Sequence, residues 1–329
     1  MTVLYKYYSA NLELDKYLLS PTIRLSQTSG LNDPFEGLIT LTMIKEITKI
    51  MLSNETFESS GSQRYDYVHM RRVINQVMQS FGVVSLTETH RNLLMWAHYA
   101  SEHTGCCIGY ESNMLSTKKN KIHEKEVCYS YTPQKINYDS VIFDDELMSG
   151  LKNANKFEDS TLHNIIKRTI TTKSNDWIYE KEHRMVIPVE WSDEIVIRSI
   201  DRLPAHIKHV LKHMGPENGY EVSIEKQTAT IKHSISTKRK LWDEEIGISY
   251  ENRLSPYKKT MFLKKIGKNK ICSIYLGALY PHEKQQTLIN ILSDKRNKLE
   301  HIKLYKYQVS SERFELTATN IPLFDHSER

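Results

Sequence analysis

The chain lacks several features that define whole classes of proteins. No apolar stretch approaches the ~20 residues that a transmembrane helix needs, and the first residues do not resemble a secretion signal. The four cysteines are irregularly placed, with Cys106 and Cys107 adjacent and Cys128 and Cys272 isolated, which argues against a disulfide framework. No glycine-rich loop follows a predicted strand, so a Rossmann or P-loop site is not expected. These absences predict a cytoplasmic protein with reduced thiols and no membrane contact.

What is present is an ordinary globular composition. The chain has 329 residues, of which 39% are hydrophobic and 26% charged, enough for one large or two smaller domains. Its net charge of +5 is unevenly distributed, because basic residues cluster at 118–121, 238–240 and 258–270. Two interpretations stay open for these clusters: a solvated surface, which is the commoner meaning of a charge run, or contact with the phosphates of RNA or DNA.

Short predicted strands alternate irregularly with helices, which favours an α+β fold over a doubly wound one. Strands are predicted at 3–8, 22–26, 81–86, 106–110, 271–276 and 303–309, and helices at 12–19, 68–79, 91–103, 157–172 and 281–299, whereas 38–52 fits either. We divide the chain into a core carrying the site (1–197), a basic insertion or lid of helix and hairpin (198–270), and a C-terminal strand-helix-strand unit that completes the core (271–329).

The most informative pattern is a charged row within residues 177–188. Glu180, Glu182 and Arg184 occupy every second position of a run rich in aromatic and branched residues, which predicts a strand. Side chains alternate along a strand, so the three share one face at roughly 7 Å spacing. The row is either an exposed, ion-paired face, as is common for long charged side chains, or a site for a cationic or sugar-like substrate.

Other segments carry the same ambiguity between structure and function. Asn32 and Asp33 precede a proline in a predicted turn, and either shape the turn locally or bind a ligand. Trp96 and Tyr99 share one face of a predicted helix that also carries His98, and an aromatic stripe at this spacing is more often core. Three histidines at 206, 209 and 213 have helical spacing, but without further ligands we expect a solvated face and no metal.

Four blocks, taken together and in this order, resemble a bacterial family, domain of unknown function 2971. They are LYKY at 4–7, LNDPFE at 31–36, LMWAHYA at 94–100 and WIYEKEHR at 177–184. The resemblance covers about residues 3–190. The family name itself supplies no activity.

A more distant likeness, to a family of enzymes, implies an activity. The order of a tyrosine-rich first strand, a middle strand carrying Ser85 and a late Glu-x-Glu strand is similar to the ADP-ribosyltransferase plan. That resemblance implies a split, mixed or antiparallel sheet core with flanking helices and an insertion. It implies that Glu182 stabilises the cation formed when the nicotinamide–ribose bond breaks, that Glu180 acts as a general base and that Arg184 modulates their charge. It also implies NAD contacts from Tyr5, Lys6, Tyr7, Arg24, Asn32, Asp33, Ser85, Trp96, His98 and Tyr99.

The function expected from this resemblance is transfer of ADP-ribose from NAD to a nucleic acid or protein. It further implies a toxin or phage-defence effector that needs no metal and is restrained by an antitoxin-type protein partner. One alternative is a metal-dependent nuclease or hydrolase that holds Mg²⁺ through Glu180, Glu182, Asp33 and Glu36. The other is a non-catalytic module that binds a ligand through the aromatic and acidic residues.

Overall fold

A large mixed sheet organises the fold. The computed structural model describes residues 2–52, 67–116, 130–141, 159–234 and 249–323, and thirteen strands of this part form one sheet. The sheet contains β1 Val3–Tyr8, β2 Thr22–Gln27, β3 Phe81–Thr87, β4 Cys106–Glu111, β5 Ser130–Lys135, β8 Glu182–Pro188, β9 Glu194–Arg198, β10 Tyr220–Glu225, β11 Thr228–His233, β12 Thr260–Lys265, β13 Ile271–Leu276, β14 Lys303–Val309 and β15 Leu316–Asn320. Two short strands pair separately, β6 Asn137–Asp139 and β7 Thr172–Ser174.

Helices cover both faces of the sheet, which confirms the α+β class. They are α1 Leu14–Leu19, α2 Leu41–Leu52, α3 Tyr67–Gln79, α4 Leu93–Tyr99, α5 Asp159–Ile170, α6 Ala205–His213, α7 Tyr250–Leu254 and α8 His282–Ser293. The ambiguous segment 38–52 is therefore largely helical. The predicted helix 91–103 is shorter than expected because Ser101, Glu102 and His103 adopt left-handed backbone conformations, which an α-helix does not tolerate.

The strand order is β10-β11-β9-β12-β2-β3-β1-β4-β13-β14-β15, with β8 pairing β3 and β5. The polar segment 198–270 supplies the hairpin β10–β11, α6, α7 and β12. The hairpin pairs with β9, and β12 lies between β9 and β2 and connects them to the rest of the sheet. The division into three domains stays a prediction.

The sheet splits beside β3. β1 and β2 lie along the same edge of β3, but Tyr5 pairs with Thr87 at one end and Ser26 pairs with Val83 at the other. The opposite edge of β3 pairs with β8 along its whole length. Close packing of β2 on β3 depends on Gly82, where a Cβ atom would lie 2.6 Å from Cβ of Leu25. A gap therefore opens between β1 and β2 over the middle of β3.

Three apolar clusters hold these elements in place. The largest lies on one face of the sheet and packs residues such as Leu4, Ile23 and Val84 against α1, α6, α7 and α8. Strand alternation puts Phe81 and Val83 on the other face, against α2, α3 and α5. On that face a third cluster, centred on Trp96 of α4, packs on β1, β4, β13 and β14. The gap between β1 and β2 lies between the second and third clusters.

Candidate functional site

The gap between β1 and β2 forms a cavity of about 220 Å³, which we call the split pocket. The C-terminal half of β3 contributes Ser85, Leu86 and Thr87, and α4 contributes Met95 and Tyr99. β1 forms one side and β2 with the turn after it forms the other. The complete lining is Tyr5, Lys6, Tyr7, Ser26, Gly30, Leu31, Asn32, Ser85, Leu86, Thr87, Met95, Tyr99, Lys173, Glu180, Glu182 and Arg184.

One wall of the split pocket belongs to a network of five buried charged side chains, which we call the charged wall: Glu36, Lys173, Glu180, Glu182 and Arg184. All of them except Glu36, which lies behind the others, line the pocket. Nζ of Lys173 lies 2.7 Å from Oε2 of Glu180 and 3.4 Å from both Oε2 of Glu182 and Oε1 of Glu36. Arg184 grips Glu182 in a fork, with Nε 2.7 Å from Oε1 and Nη2 3.0 Å from Oε2. It also donates to Glu36 and to the backbone carbonyl of Ile170. Every side chain of the wall is at most 5% exposed, so the interpretation of the charged row as an exposed face is wrong.

The close charges set the protonation of the wall. Burial alone would raise the pKa of Glu182, but Arg184 and Lys173 lower it to about 2. Burial alone would lower the pKa of Lys173, and the surrounding carboxylates raise it instead. Burial raises the pKa of Glu36 despite the opposing charges of Arg184 and Lys173. Glu182, Lys173 and Arg184 are therefore charged at neutral pH.

Glu180 reaches the wall by a route that the alternating pattern does not predict. Residues Asn175–Glu180 form a 3₁₀ turn, Lys181 adopts a left-handed conformation (φ 47°), and β8 begins only at Glu182. The predicted strand from 177 is thus wrong at its start, although Glu182 and Arg184 do share a strand face. Thr87 Oγ1 donates to the carbonyl of Glu180 at 2.6 Å, and Asn92 Nδ2 donates to that of Tyr179 at 2.7 Å. These two bonds fix the turn to β3 and α4.

Glu182 and Glu180 differ in how many of their hydrogen-bond acceptor positions are occupied. Glu182 accepts two bonds from Arg184 and one from Lys173, and Ser85 adds another. Glu180 accepts from the hydroxyl of Tyr99 and from Lys173. A carboxylate has room for roughly four hydrogen bonds. Glu182 is therefore saturated, whereas Glu180 retains acceptor capacity towards the pocket.

Two cations lie on the side of the split pocket away from the charged wall: Lys6 on β1, in the lining, and Arg24 on β2, at the pocket edge. Nζ of Lys6 donates to the carbonyl of Ser85 at 3.0 Å, and burial, supported by the nearby charge of Arg24, lowers the pKa of Lys6 to about 8 although Glu182 opposes the shift. Arg24 extends towards Gly30, whose Cβ would lie 3.8 Å from its Nη2. Within the described residues, neither cation has a carboxylate partner. This side of the pocket therefore favours an anionic group.

The structure brings most of the predicted site residues together. Tyr5, Lys6, Tyr7, Asn32, Ser85, Tyr99, Glu180, Glu182 and Arg184 all line the split pocket. Asn32 donates to the hydroxyl of Tyr99, which in turn donates to Glu180. Arg24 lies at the pocket edge.

Three predicted contacts lie elsewhere. Trp96 is fully buried, and its indole N–H donates to the carbonyl of His90 at 2.9 Å, so its placement in the NAD site is wrong and the core alternative holds. His98 is exposed on α4 and outside the pocket lining. Asp33 is buried, and its Oδ1 accepts from the backbone N–H of Phe35 at 2.9 Å. Asp33 faces a second cavity rather than the split pocket.

Two members of the charged wall, Lys173 and Glu36, are not among the residues that the resemblance assigns to the NAD site. Lys173 follows a helix in a polar stretch that shows no recognisable pattern, and Glu36 meets Arg184 across 148 positions of chain. The ammonium of Lys173 sits among the carboxylates that the nuclease hypothesis assigned to Mg²⁺. In the part of the chain that the structure describes, no group of three His, Cys, Asp or Glu residues is arranged to hold a metal.

The basic residues at 258–270 differ in whether they form ion pairs within the described part of the chain. Lys264 pairs with Asp193 at 2.9 Å and Lys270 with Glu111 at 2.5 Å, whereas Lys258 and Lys259 are exposed. The clusters at 118–121 and 238–240 lie outside the described residues. No helix in the described segments is long and apolar enough to cross a membrane.

The geometry of the site can be set beside a comparison with known families. Residues 95–185 match the family described as Protein of unknown function (DUF2971), which confirms the family prediction over this span. The matched span contains most of α4 and four of the five members of the charged wall, Lys173, Glu180, Glu182 and Arg184. No curated protein and no solved structure matches the chain.

Proposed function

We propose that the split pocket binds the nicotinamide–ribose part of NAD and transfers ADP-ribose to a macromolecular acceptor. The observation that carries the proposal is Glu180: a carboxylate with free acceptor capacity, held by Tyr99 and Lys173 in the wall of a pocket that the split of the sheet opens. A sheet that splits to form the binding pocket also fits the ADP-ribosyltransferase plan that the sequence resembles. The role as a toxin or defence effector with a protein inhibitor rests on that resemblance alone.

The chemistry makes use of this arrangement. The bond between C1′ of the ribose and the nicotinamide nitrogen breaks, and nicotinamide leaves with the electron pair. The ribose becomes an oxocarbenium-like cation, which a fixed carboxylate stabilises far better in a buried wall than in water. An oxygen or nitrogen of the acceptor then bonds to C1′ and loses its proton. Glu180 is the carboxylate free to accept from the ribose hydroxyls, and Glu182 positions Arg184 and Lys173 behind it.

The remaining lining suits a nucleotide. Tyr5, Tyr7 and Tyr99 offer aromatic surface to the nicotinamide ring, and Lys6 and Arg24 offer unpaired positive charge to phosphates. The cavity of about 220 Å³ is smaller than the ~300 Å³ lower bound typical of drug-sized ligands. It therefore fits one end of a dinucleotide, with the other end outside.

Charge near the pocket mouth favours a nucleic acid acceptor over a protein. Exposed Arg198 ends β9, and its backbone N–H donates to the carbonyl of exposed Lys259 at 3.2 Å. Gln27 Nε2 donates to the carbonyl of Thr260 at 2.8 Å, so this end of β12 adjoins the turn that lines the split pocket. The charge of Arg198 also reaches Arg24. Arg198 and Lys259 form no ion pair in the described parts of the chain, so they remain available for phosphates.

The test of the chemistry is release of nicotinamide from labelled NAD in the presence of cell lysate. Glu180→Gln keeps the side chain's shape and removes its charge, so we expect turnover to fall by about 10²–10³-fold. Asp176→Asn makes the same charge change on the exposed part of the same turn and serves as the matched control, with wild-type turnover expected. Full turnover in Glu180→Gln, or none in the wild type, contradicts the proposal. Activity that chelation by EDTA abolishes points to the metal-dependent alternative instead.

The test of the acceptor uses a fluorescent single-stranded RNA without NAD. Arg198→Glu/Lys259→Glu is expected to weaken binding at least tenfold and to flatten its salt dependence, since each lost phosphate contact reduces the slope by roughly 0.7. Lys208→Glu/Lys212→Glu carries the same charge change on exposed positions of α6, on the opposite face of the sheet, and is expected to bind as the wild type does. Equal loss in both variants, or label on protein alone, overturns a nucleic acid acceptor.

A further inference from the structure

A second cavity lies on the other side of the charged wall. It has a volume of about 210 Å³, and we call it the rear cavity. Lys173 lines both cavities, Glu36 of the charged wall lines the rear cavity, and Asp33, Asp139 and Thr172 add further oxygen-bearing side chains. Phe35, which is 59% exposed, also contributes to its lining.

The rear cavity collects buried acceptor atoms that have no partner. Oδ2 of Asp33, Oε2 of Glu36 and Oγ1 of Thr172 are all buried without a hydrogen bond to any described residue. Asp33 is only 3% exposed. Leaving such an atom unpaired destabilises the folded state, and more so when the group is charged. Three of them around one cavity indicate that something with hydrogen-bond donors belongs there.

The charges around the cavity specify the sign of that group. The ammonium of Lys173 is shared among Glu36, Glu180 and Glu182, so it does not neutralise Asp33. Asp139 adds a carboxylate, one oxygen of which accepts from the backbone N–H of Val141. The cavity thus has surplus negative charge and unpaired acceptors.

We propose that the rear cavity binds the cationic head of a guanidinium or primary ammonium ligand. An organic cation with several N–H donors can bind acceptor atoms that lie apart from one another. A metal ion would need the same acceptors within one tight coordination shell. The ring of Phe35 suits the apolar stem or the face of a guanidinium. The cavity has room for such a head and a short stem only. Free polyamine-like molecules and the arginine or lysine side chain of a protein share this chemistry.

A ligand bound in the rear cavity affects the split pocket through the charged wall that lies between the two cavities. A cation beside Oε2 of Glu36 competes with Arg184 and Lys173 for the charge of that carboxylate. The bonds of Lys173 to Glu180 and Glu182 then tighten, because the ammonium has fewer partners. The ligand would act as an effector of the neighbouring site. The binding itself does not depend on the proposed function and is measured without NAD.

The test is calorimetric titration of the full chain with agmatine and with acetyl-arginine amide, at constant ionic strength. Asp33→Asn preserves the Oδ1 bond to Phe35 and replaces the unpaired acceptor with an N–H donor, so it repels a cation without disturbing the turn. We expect it to weaken binding of both probes at least tenfold. Asp176→Asn, an equal charge change outside the cavity, is expected to bind as the wild type does.

The outcomes separate the possible occupants. Binding of agmatine shows that the free head group suffices, and binding of acetyl-arginine amide alone assigns the site to a protein side chain. Equal binding of the neutral analogue acetyl-citrulline amide, equal binding by Asp33→Asn, or no binding of any probe overturns the proposal and leaves ordered water as the occupant. An unchanged melting temperature of Asp33→Asn without ligand establishes that the variant is folded.

Discussion

The two sides of the split pocket are built on different physical principles. On one side, the charged wall holds five ionisable groups that are buried and joined by short bonds. On the other, Tyr5 and Tyr7 of β1 belong to an aromatic cluster with β13 and β14 behind the pocket, which we call the aromatic side and in which Tyr275 stacks on His90 at 3.8 Å and on Tyr305 at 4.8 Å. The charged wall is intolerant of losing one member, because the rest become unpaired charges. The aromatic side relies on many small contacts, each of modest value.

The comparison is sharpest at Glu182. Glu182→Gln leaves Arg184 buried without its bidentate partner, so we expect a loss of about 3–5 kcal/mol in the free energy of unfolding at pH 7. The folded pKa of about 2 lies below the ordinary 4.5, so this stabilisation is complete above pH 4.5 and disappears as the pH falls towards 2. Urea unfolding of both proteins at pH 7 and pH 3 measures the difference. A loss below 1 kcal/mol at pH 7 contradicts the view that the charged wall is a mutually dependent network.

Substitution of a large side chain on the aromatic side is expected to lower the free energy of unfolding less than Glu182→Gln does. Trp96→Phe removes the indole N–H that the carbonyl of His90 accepts and leaves a small void beside Tyr7 and Tyr307. We expect a destabilisation of about 2 kcal/mol, with nicotinamide release within twofold of wild type. Urea unfolding and the turnover assay together check this. Abolished turnover in a folded Trp96→Phe protein would return this residue to the binding site.

Two tyrosine hydroxyls test the same comparison at the level of single hydrogen bonds. Tyr307 bonds Nδ1 of His90, whereas Tyr99 donates to Glu180. Tyr307→Phe is expected to cost about 1 kcal/mol of stability without changing turnover. Tyr99→Phe is expected to reduce turnover about tenfold, equivalent to ~1.4 kcal/mol in the barrier, with a smaller change in stability. The reverse pattern would show that the aromatic side, not the charged wall, carries the chemistry.

The sequence predicts those parts of the site that follow a local period. Alternation in β1 groups Tyr5 with Tyr7, and alternation in β8 groups Glu182 with Arg184. Glu180 fits the same two-residue spacing by coincidence, because a 3₁₀ turn and a left-handed Lys181 deliver it to the wall. A period shared by a strand and a turn cannot distinguish them. The family blocks, not the period, were the stronger signal that Glu180 belongs with Glu182.

Long-range pairings are what local patterns cannot supply. Lys173 lies in the unremarkable segment TTKSN and becomes central only because β7 pairs with β6 beside the charged wall. Trp96 illustrates the opposite error, since helical spacing shows that a face is apolar but not whether it packs on a core or on a ligand. α4 also begins later than the predicted residue 91, since Asn92 caps its first turn, accepting from the N–H groups of Leu94 and Met95.

Lys6 links the two sides, because it stands on the aromatic strand β1 and faces the charged wall. Its folded pKa of about 8 lies below the ordinary 10.5, so the unfolded chain binds more protons between these values. Stability should therefore rise with pH from about 8 to 10.5 in the wild type relative to Lys6→Met. Urea unfolding at pH 7, 8.5 and 10 follows the difference, with Lys208→Met on exposed α6 as the control. Parallel curves for wild type and Lys6→Met would mean that Lys6 is solvated and that its pKa is not lowered. Lys6 would then keep its charge above pH 8, and binding of an anion in the split pocket would not weaken there.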